Sequence, residues 1–282
     1  MSISAKPENI KALSLDLDGT ILAPGTILNE RTIRAVKACQ QRGVRIIINT
    51  GRTIDGAESF RAALGVEGPM IYCNGAVVSD MPSCRIVNVA LLDKEAAAFC
   101  ANLARETGTY YQVFFPGELE NGRSIVMAER EGPEREMYFK HAGIRSELGD
   151  LTKALSQPNL EGCIKGMFLA EPEVLSALRP KIDERFGKNV YTAHSLRTFL
   201  EIMNPNASKG QGLKRVMEYY TLKPEEVLTF GDEENDLPMF AVAGFSAALS
   251  NAKDNVKAAA DIVIGSNAED GVAAFLEAFF GL

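Results

Sequence analysis

Three short runs, "KALSLD", "VRIIIN" and "EEVLTF", carry near-continuous apolar and β-branched residues and each stops abruptly in a polar cluster. Runs of this length suit strands, and apolar residues at successive positions rather than alternate ones imply burial on both faces. Helical segments lie between them. "NERTIRAVKACQQRG" has Asn29 as its predicted N-cap and Gly43 as its terminator, "DGAESFRAALG" leads into a further strand, "PMIYC", and "SKGQGLKRVMEYY" sets Leu213, Val216, Met217 and Tyr220 at helical spacing. That rhythm predicts an α/β fold, a doubly wound parallel sheet covered by helices on both sides.

The closing segment continues it. "NDLPMFAVAG", "AKDNVKAAA" and "EDGVAAFLEAFF" read as helices, with "SAAL" and "DIVIG" as strands between them. From about Pro82 to Met203 the order changes to helix, hairpin, helix, strand, helix, hairpin. "YYQVFF" and "RSIVMAE" flank a glycine-containing turn, and "NVYTAH" followed by "RTFLEIMN" suggests a second hairpin. Hairpins mean antiparallel pairing, so residues 82–203 are expected to form an α+β domain inserted into a core made of 1–81 and 204–282. A chain of 282 residues is long enough for both.

The net charge of −7 argues against a nucleic-acid or anionic-membrane surface, since both need a concentrated basic footprint. The five cysteines are odd in number and form no CxxC pair, which argues against a disulfide scaffold or a zinc site and fits a reducing cytoplasm. "MSISAKPENIK" lacks the apolar core of a secretory signal, and no run is long enough to span a bilayer, so a soluble cytoplasmic protein is expected.

In a parallel α/β sheet, ligands bind beyond the carboxyl ends of the strands near a topological switch point. Four clusters fall at such ends or at a helix start: "DLDGT", "NTGR", "NASKG" and "GDEEND". Strand periodicity sends Asp16 and Asp18 to one side and Leu17 to the other. Two carboxylates at about 4 Å repel by roughly 4 kcal/mol at an effective dielectric near 20. A hard divalent cation held by oxygen ligands answers that repulsion; plain turn acids are the competing reading. An EF-hand is excluded by the missing acid and glutamate around the glycine.

Thr50 and Gly51 offer a hydroxyl and an open backbone amide to a phosphate oxygen, and Arg52 either holds substrate or pairs with an acid. With Ser208 as N-cap, Lys209 falls in the first helical turn, where the helix dipole disfavours a cation. The placement makes sense if helix terminus and ammonium face one anion together. Asp232 follows the tight turn at Gly231 and points to the same crevice, with Asn235 and Asp236 near the next helix start. Asp236 also suits an N-cap ahead of Pro238, and Glu233 and Glu234 read as solvated loop acids.

In order and spacing, Asp16 to Thr20, Thr50 to Arg52, Lys209, and Gly231 to Asp236 together resemble the haloacid dehalogenase superfamily of phosphotransferases, specifically its Cof-type, subclass IIB branch. "YCNGAVV", with Asn74 and Gly75, and "ALSNAKDNVKAAADIV" extend the resemblance across the core. The departure is "NPNASKG", where the family more often has a glycine before Val-Ser-Lys. The resemblance implies a Rossmann-like core carrying the chemistry under an inserted cap of the C2B type. It implies Asp16 as nucleophile forming an aspartyl-phosphate, and Asp18 as general acid and then base. Mg²⁺ would lie between Asp16, the backbone carbonyl of Asp18 and Asp232. Thr50, Gly51, Arg52, Lys209 and Asn235 would bind phosphate or orient water, with Thr20 and Asp236 in support; Asp236 would steady Lys209. The implied partner is a small phosphorylated metabolite, a sugar phosphate first, with pyridoxal phosphate or flavin mononucleotide as alternatives. A phosphomutase and a non-catalytic sensor of a phosphorylated metabolite are the rival functions. Lys165, His194 and Arg197 are cap residues on strands able to face the cleft.

Overall fold

A computed structural model describes residue 7 and residues 9–282. Most of the opening stretch read above for a secretory signal therefore lies outside the described residues. Five strands make one wholly parallel sheet in the order Ile262–Ile264, Phe245–Leu249, Val227–Gly231, Ala12–Leu15, Arg45–Ile48. Leu13, Leu15, Ile46, Ile48, Leu228 and Phe230 pack in the layer of Val36 and Cys39 from helix Glu30–Gln41 and of Val272 and Leu276 from helix Gly271–Phe280. Ala12, Ile47, Val227 and Ala248 pack instead with Leu213, Val216 and Met217 of helix Lys209–Tyr220. Strand residues are thus buried whichever way they face, which is why the runs are apolar at successive positions. Each such aliphatic side chain contributes about 1.5–3 kcal/mol.

Chain order reverses between Ala12–Leu15 and Val227–Gly231, because Arg45–Ile48 is added on one side and the late strands on the other. Leu15 pairs with Phe230, and the Asp16 amide donates to the Phe230 carbonyl at 3.2 Å. Asp16 and Asp232 therefore leave the sheet side by side at its switch point.

Three local expectations change. Asn29 stands at the N-cap position, but its side chain caps nothing and donates to Asp270 at 2.8 Å. "NDLPMFAVAG" shrinks to a 3-10 turn, Glu234–Asp236, and one helical turn, Leu237–Phe240; the chain bends back at Gly244, whose amide bonds the Pro224 carbonyl at 2.7 Å. "PMIYC" becomes Gly68–Tyr72, which meets the parallel sheet at the Asn49–Ile71 bridge and then opens a three-stranded antiparallel sheet with Val77–Met81 and Arg85–Val89. Arg85–Val89 escaped prediction because it is only half-buried on both sides and shows no alternation.

The middle of the chain forms a six-stranded sheet in the order Tyr191–Leu196, Phe199–Met203, Lys165–Leu169, Tyr110–Phe115, Ile125–Ala128, Glu147–Leu148. Both expected hairpins are present, and all neighbours are antiparallel except the parallel edge pair Ile125–Ala128 and Glu147–Leu148. Tyr111, Val113, Phe168, Leu200 and Ile202 pack on helices Lys94–Thr107 and Pro172–Phe186. Alternate residues on the opposite face, including Lys165, Met167, Phe199 and Glu201, roof a cleft floored by Asp16, Asp18, Gly51 and Arg52. Among the described residues no helix is long and apolar enough to cross a membrane.

Candidate active site

A single ammonium organises the strand ends. Ser208 caps helix Lys209–Tyr220 by accepting from the Gln211 amide at 3.2 Å, and places Lys209 at the first position of that helix. The Lys209 Nζ donates to Asp16 Oδ1 and to Asp236 Oδ1, both at 2.6 Å, with all three side chains buried. Asp236 Oδ2 accepts from the amides of Asp232 and Glu233 at 2.8 and 2.9 Å, so Asp236 both anchors the "GDEEND" loop and holds Lys209. Its expected N-cap bond to the following turn is absent. Thr20 Oγ1 donates to Asp232 Oδ1 at 2.7 Å. Gly19 has φ +76°, and a Cβ there would strike the Asp232 carboxylate, so glycine is what lets the two loops touch.

Burial raises the Asp16 carboxyl to about 7, against the attraction of Lys209 and with the repulsion of Asp236 and Asp18 added. Burial followed by the charges of Asp16 and Asp236 raises Asp232 to about 8. Burial alone would lower Lys209, but the charges and hydrogen bonds of Asp16 and Asp236 outweigh it and keep the ammonium protonated.

Asp18 stands apart from this cluster. Arg52 grips it with both arms, Nε to Oδ2 and Nη2 to Oδ1, each at 2.7 Å. His141, from helix Pro133–Ala142, brings its Nε2 to 3.8 Å of Asp18 Oδ1. Burial would raise the Asp18 carboxyl, yet the hydrogen bond and charge of Arg52, followed by His141 and Lys209, hold it below the ordinary carboxylate range. Of the two roles open for Arg52, this arrangement has it paired with an acid.

The remaining expected residues divide. Gly51 and Asn235 line the cleft, whereas Thr50 is fully buried behind it and its hydroxyl accepts from the Arg52 amide at 3.1 Å. Lys165 faces the cleft but is not free: it donates to Glu201 at 2.6 Å and to the Gly51 carbonyl at 2.8 Å. His194 and Arg197 do not line the cleft; Arg197 is exposed and the His194 amide bonds Glu234 at 3.4 Å. Glu233 and Glu234 are not solvated loop acids, since Glu233 pairs with Lys253 at 2.7 Å and Glu234 with Arg179 at 2.8 Å. Sequence reading also missed Tyr138, His141 and Glu201. For Glu201 a signal existed: it is the lone acid in an otherwise apolar strand, "FLEIM", and it faces the cleft side.

The haloacid dehalogenase-like hydrolase family model matches residues 13–276, from the first core strand to the last helix. The chain belongs to that family. Relatives of this hydrolase include a putative phosphatase of Haemophilus influenzae, 28% identical across 96% of this chain and 97% of the relative. Another is the 5-amino-6-(5-phospho-D-ribitylamino)uracil phosphatase YwtE of Bacillus subtilis, 26% identical across 95% and 97%. Among solved structures, TM0651 from Thermotoga maritima superposes with a TM-score of 0.77 at 28% identity, covering 95% of this chain and 97% of that one.

In this hydrolase one oxygen each from Asp16, Asp232 and Asp236 lies within 4.8 Å of the others. Two buried carboxylates and the half-buried Asp232 face one ammonium, and no hydrogen bond from the described residues reaches Asp16 Oδ2 or Asp232 Oδ2. An all-oxygen donor set with excess negative charge fits a hard divalent cation. Asp16 and Asp232 are the ligands this geometry favours, because Lys209 and two amides already occupy Asp236.

Proposed function

We propose that this hydrolase is a magnesium-dependent phosphatase of small phosphomonoesters, sugar phosphates first, working through an aspartyl-phosphate on Asp16. The observation that carries the reading is the Lys209 ammonium bridging Asp16 and Asp236 beside Asp232, at the switch point of the parallel sheet. Bound there, the cation offsets the repulsion between carboxylate and phosphate and spreads the charge of the transition state. Lys209 orients the Asp16 carboxylate through Oδ1, and of its two oxygens one attacks phosphorus while the other would meet the cation. Lys209 and the Gly51 amide stabilise phosphate charge, since the Thr50 amide is already given to the Ile71 carbonyl. Asp18 delivers a proton to the leaving oxygen and later takes one from water. Its two hydrogen bonds to Arg52 must open first, so that the carboxylate they keep ionised can take up the proton it delivers, and a phosphate oxygen in the same cleft is the partner that draws the guanidinium away.

The cap in this reading is the part of residues 82–203 that builds the six-stranded sheet and its helices, whereas Arg85–Val89 pairs with Val77–Met81 on the core side. Lys165, Ser195 and Glu201 place donors and acceptors over the cleft, which suits a hydroxyl-bearing leaving group. The ribityl phosphate in the name of the Bacillus subtilis relative is in keeping with such a group. A panel of phosphorylated metabolites is expected to show Mg²⁺-dependent release of inorganic phosphate without a bisphosphate activator, abolished by a chelator and restored by added Mg²⁺. Mg²⁺ at a hundred times its dissociation constant should also stabilise the fold by about 2.7 kcal/mol in denaturant titrations. Undiminished turnover after chelation removes the metal from the account, and phosphate passing to a second sugar hydroxyl instead of water favours the mutase.

The cap also grips the catalytic loop. Arg179 holds Thr192 by its side chain and carbonyl at 3.1 and 3.0 Å and reaches Glu234, which stands between Asp232 and Asn235. The pair is partly exposed and salt-screened. Glu234→Arg is expected to raise KM several-fold, and adding Arg179→Glu in the same chain to recover most of the loss. Kinetics of both single variants and the swapped double variant check this; no recovery in the swap shows that the contact does not couple cap to loop.

A further inference from the structure

Outside the four clusters, residues Cys73, Asn74 and Gly75 have φ of +48°, +55° and +90°, three left-handed residues in succession, two of them not glycine. All three are buried. Such backbone persists only where surrounding contacts over-determine it, and it concentrates at functional sites. Here the contacts are specific. The Cys73 amide donates to the Arg52 carbonyl at 2.8 Å and the Asn74 amide to the Thr50 carbonyl at 2.9 Å. Gly75 lies so close to the Ser208 backbone that a Cβ would collide with its carbonyl. The Asn74 side chain accepts from Asn235 Nδ2 at 2.9 Å. One tight turn thus touches the Thr50–Arg52 loop, the N-cap of the Lys209 helix and the loop of Asp232 and Asn235.

Two buried polar atoms at this junction, Asn74 Nδ2 and Asn235 Oδ1, have no hydrogen-bond partner among the described residues. Buried polar atoms are rarely left so without a ligand or water to meet them. With its Nδ2 given to Asn74, Asn235 keeps its carbonyl oxygen free, and Asn235 lines the cleft. Which atom that free end presents to the cleft is set by how Asn74 holds the other end.

We propose that Asn74 is a positioning residue for phosphoryl transfer: its amide sets the rotation of Asn235 in the cleft, and the strained turn fixes that amide. The assignment rests on the phosphatase reading above. Two substitutions separate the side chain from the backbone. Glycine accepts the +55° dihedral freely and alanine does not, while both lose the bond to Asn235, so N74G should unfold at a higher denaturant midpoint than N74A. Both should lose about 10- to 100-fold in kcat, as removal of an orienting partner does, with KM within about twofold. The inhibition constant of orthovanadate, a mimic of the transition state, should rise in step with the loss of kcat/KM. N74G with wild-type kcat and vanadate inhibition, or a loss confined to N74A, overturns the assignment alone. A wild-type protein that neither hydrolyses phosphomonoesters nor is stabilised by orthovanadate overturns the phosphatase reading and this assignment with it.

Discussion

Asp16→Asn should cut phosphate release by at least roughly 10³-fold, because an amide cannot serve as the attacking oxygen and the loss of a nucleophile removes a covalent route outright. The fold should survive. Asparagine keeps an acceptor for Lys209 at nearly the same place and removes a charge that Asp232 and Asp236 repel. Denaturant unfolding should therefore give a midpoint no lower than wild type, beside a kcat near background. Substantial turnover by this variant would mean that another group attacks phosphorus, and the roles of Lys209 and Asp232 would have to be redrawn around it.

Lys209→Met should lose both stability and rate. The ammonium is fully buried between Asp16 and Asp236, and removing one member of such a group strands the others in a poorly solvating interior. A cost of about 3–5 kcal/mol is expected in denaturant unfolding, with phosphatase activity reduced at least as far as in Asp16→Asn. Adding Asp16→Asn to Lys209→Met should recover part of the lost stability, since one stranded charge disappears. A double-mutant cycle reads that coupling directly. Strict additivity of the two changes would show that the 2.6 Å contact carries no energy.

The core was legible because its signals are local. Apolar runs such as "RIII", a Ser208 cap one residue ahead of Lys209, and acids just past strand ends each need only a few neighbours to interpret. Both hairpins of the middle segment were visible for the same reason. What stayed hidden was the choice of partner across distance. Arg52 was recognisably placed for substrate or acid, but that the acid is Asp18, 34 residues away, follows only from the fold. Glu234 looked like a solvated loop residue because Arg179 lies 55 positions earlier on another element. Asn74 was visible as part of a motif, whereas its role depends on backbone angles that side-chain patterns do not encode. His141 gave no sequence signal, since a single imidazole on a helix has no fixed spacing to the carboxylate it approaches.

The sheet's switch point has a consequence for synthesis. Lys209 meets Asp16 across 193 positions, and strand Ala12–Leu15 takes its second neighbour only from Val227–Gly231. On the ribosome, this strand keeps an unpaired edge until Val227–Gly231 has been translated, a state open to aberrant association. Pulse-labelled nascent chains should accordingly be most dependent on chaperones before residue 231 clears the exit tunnel, and should acquire protease resistance late and in one step.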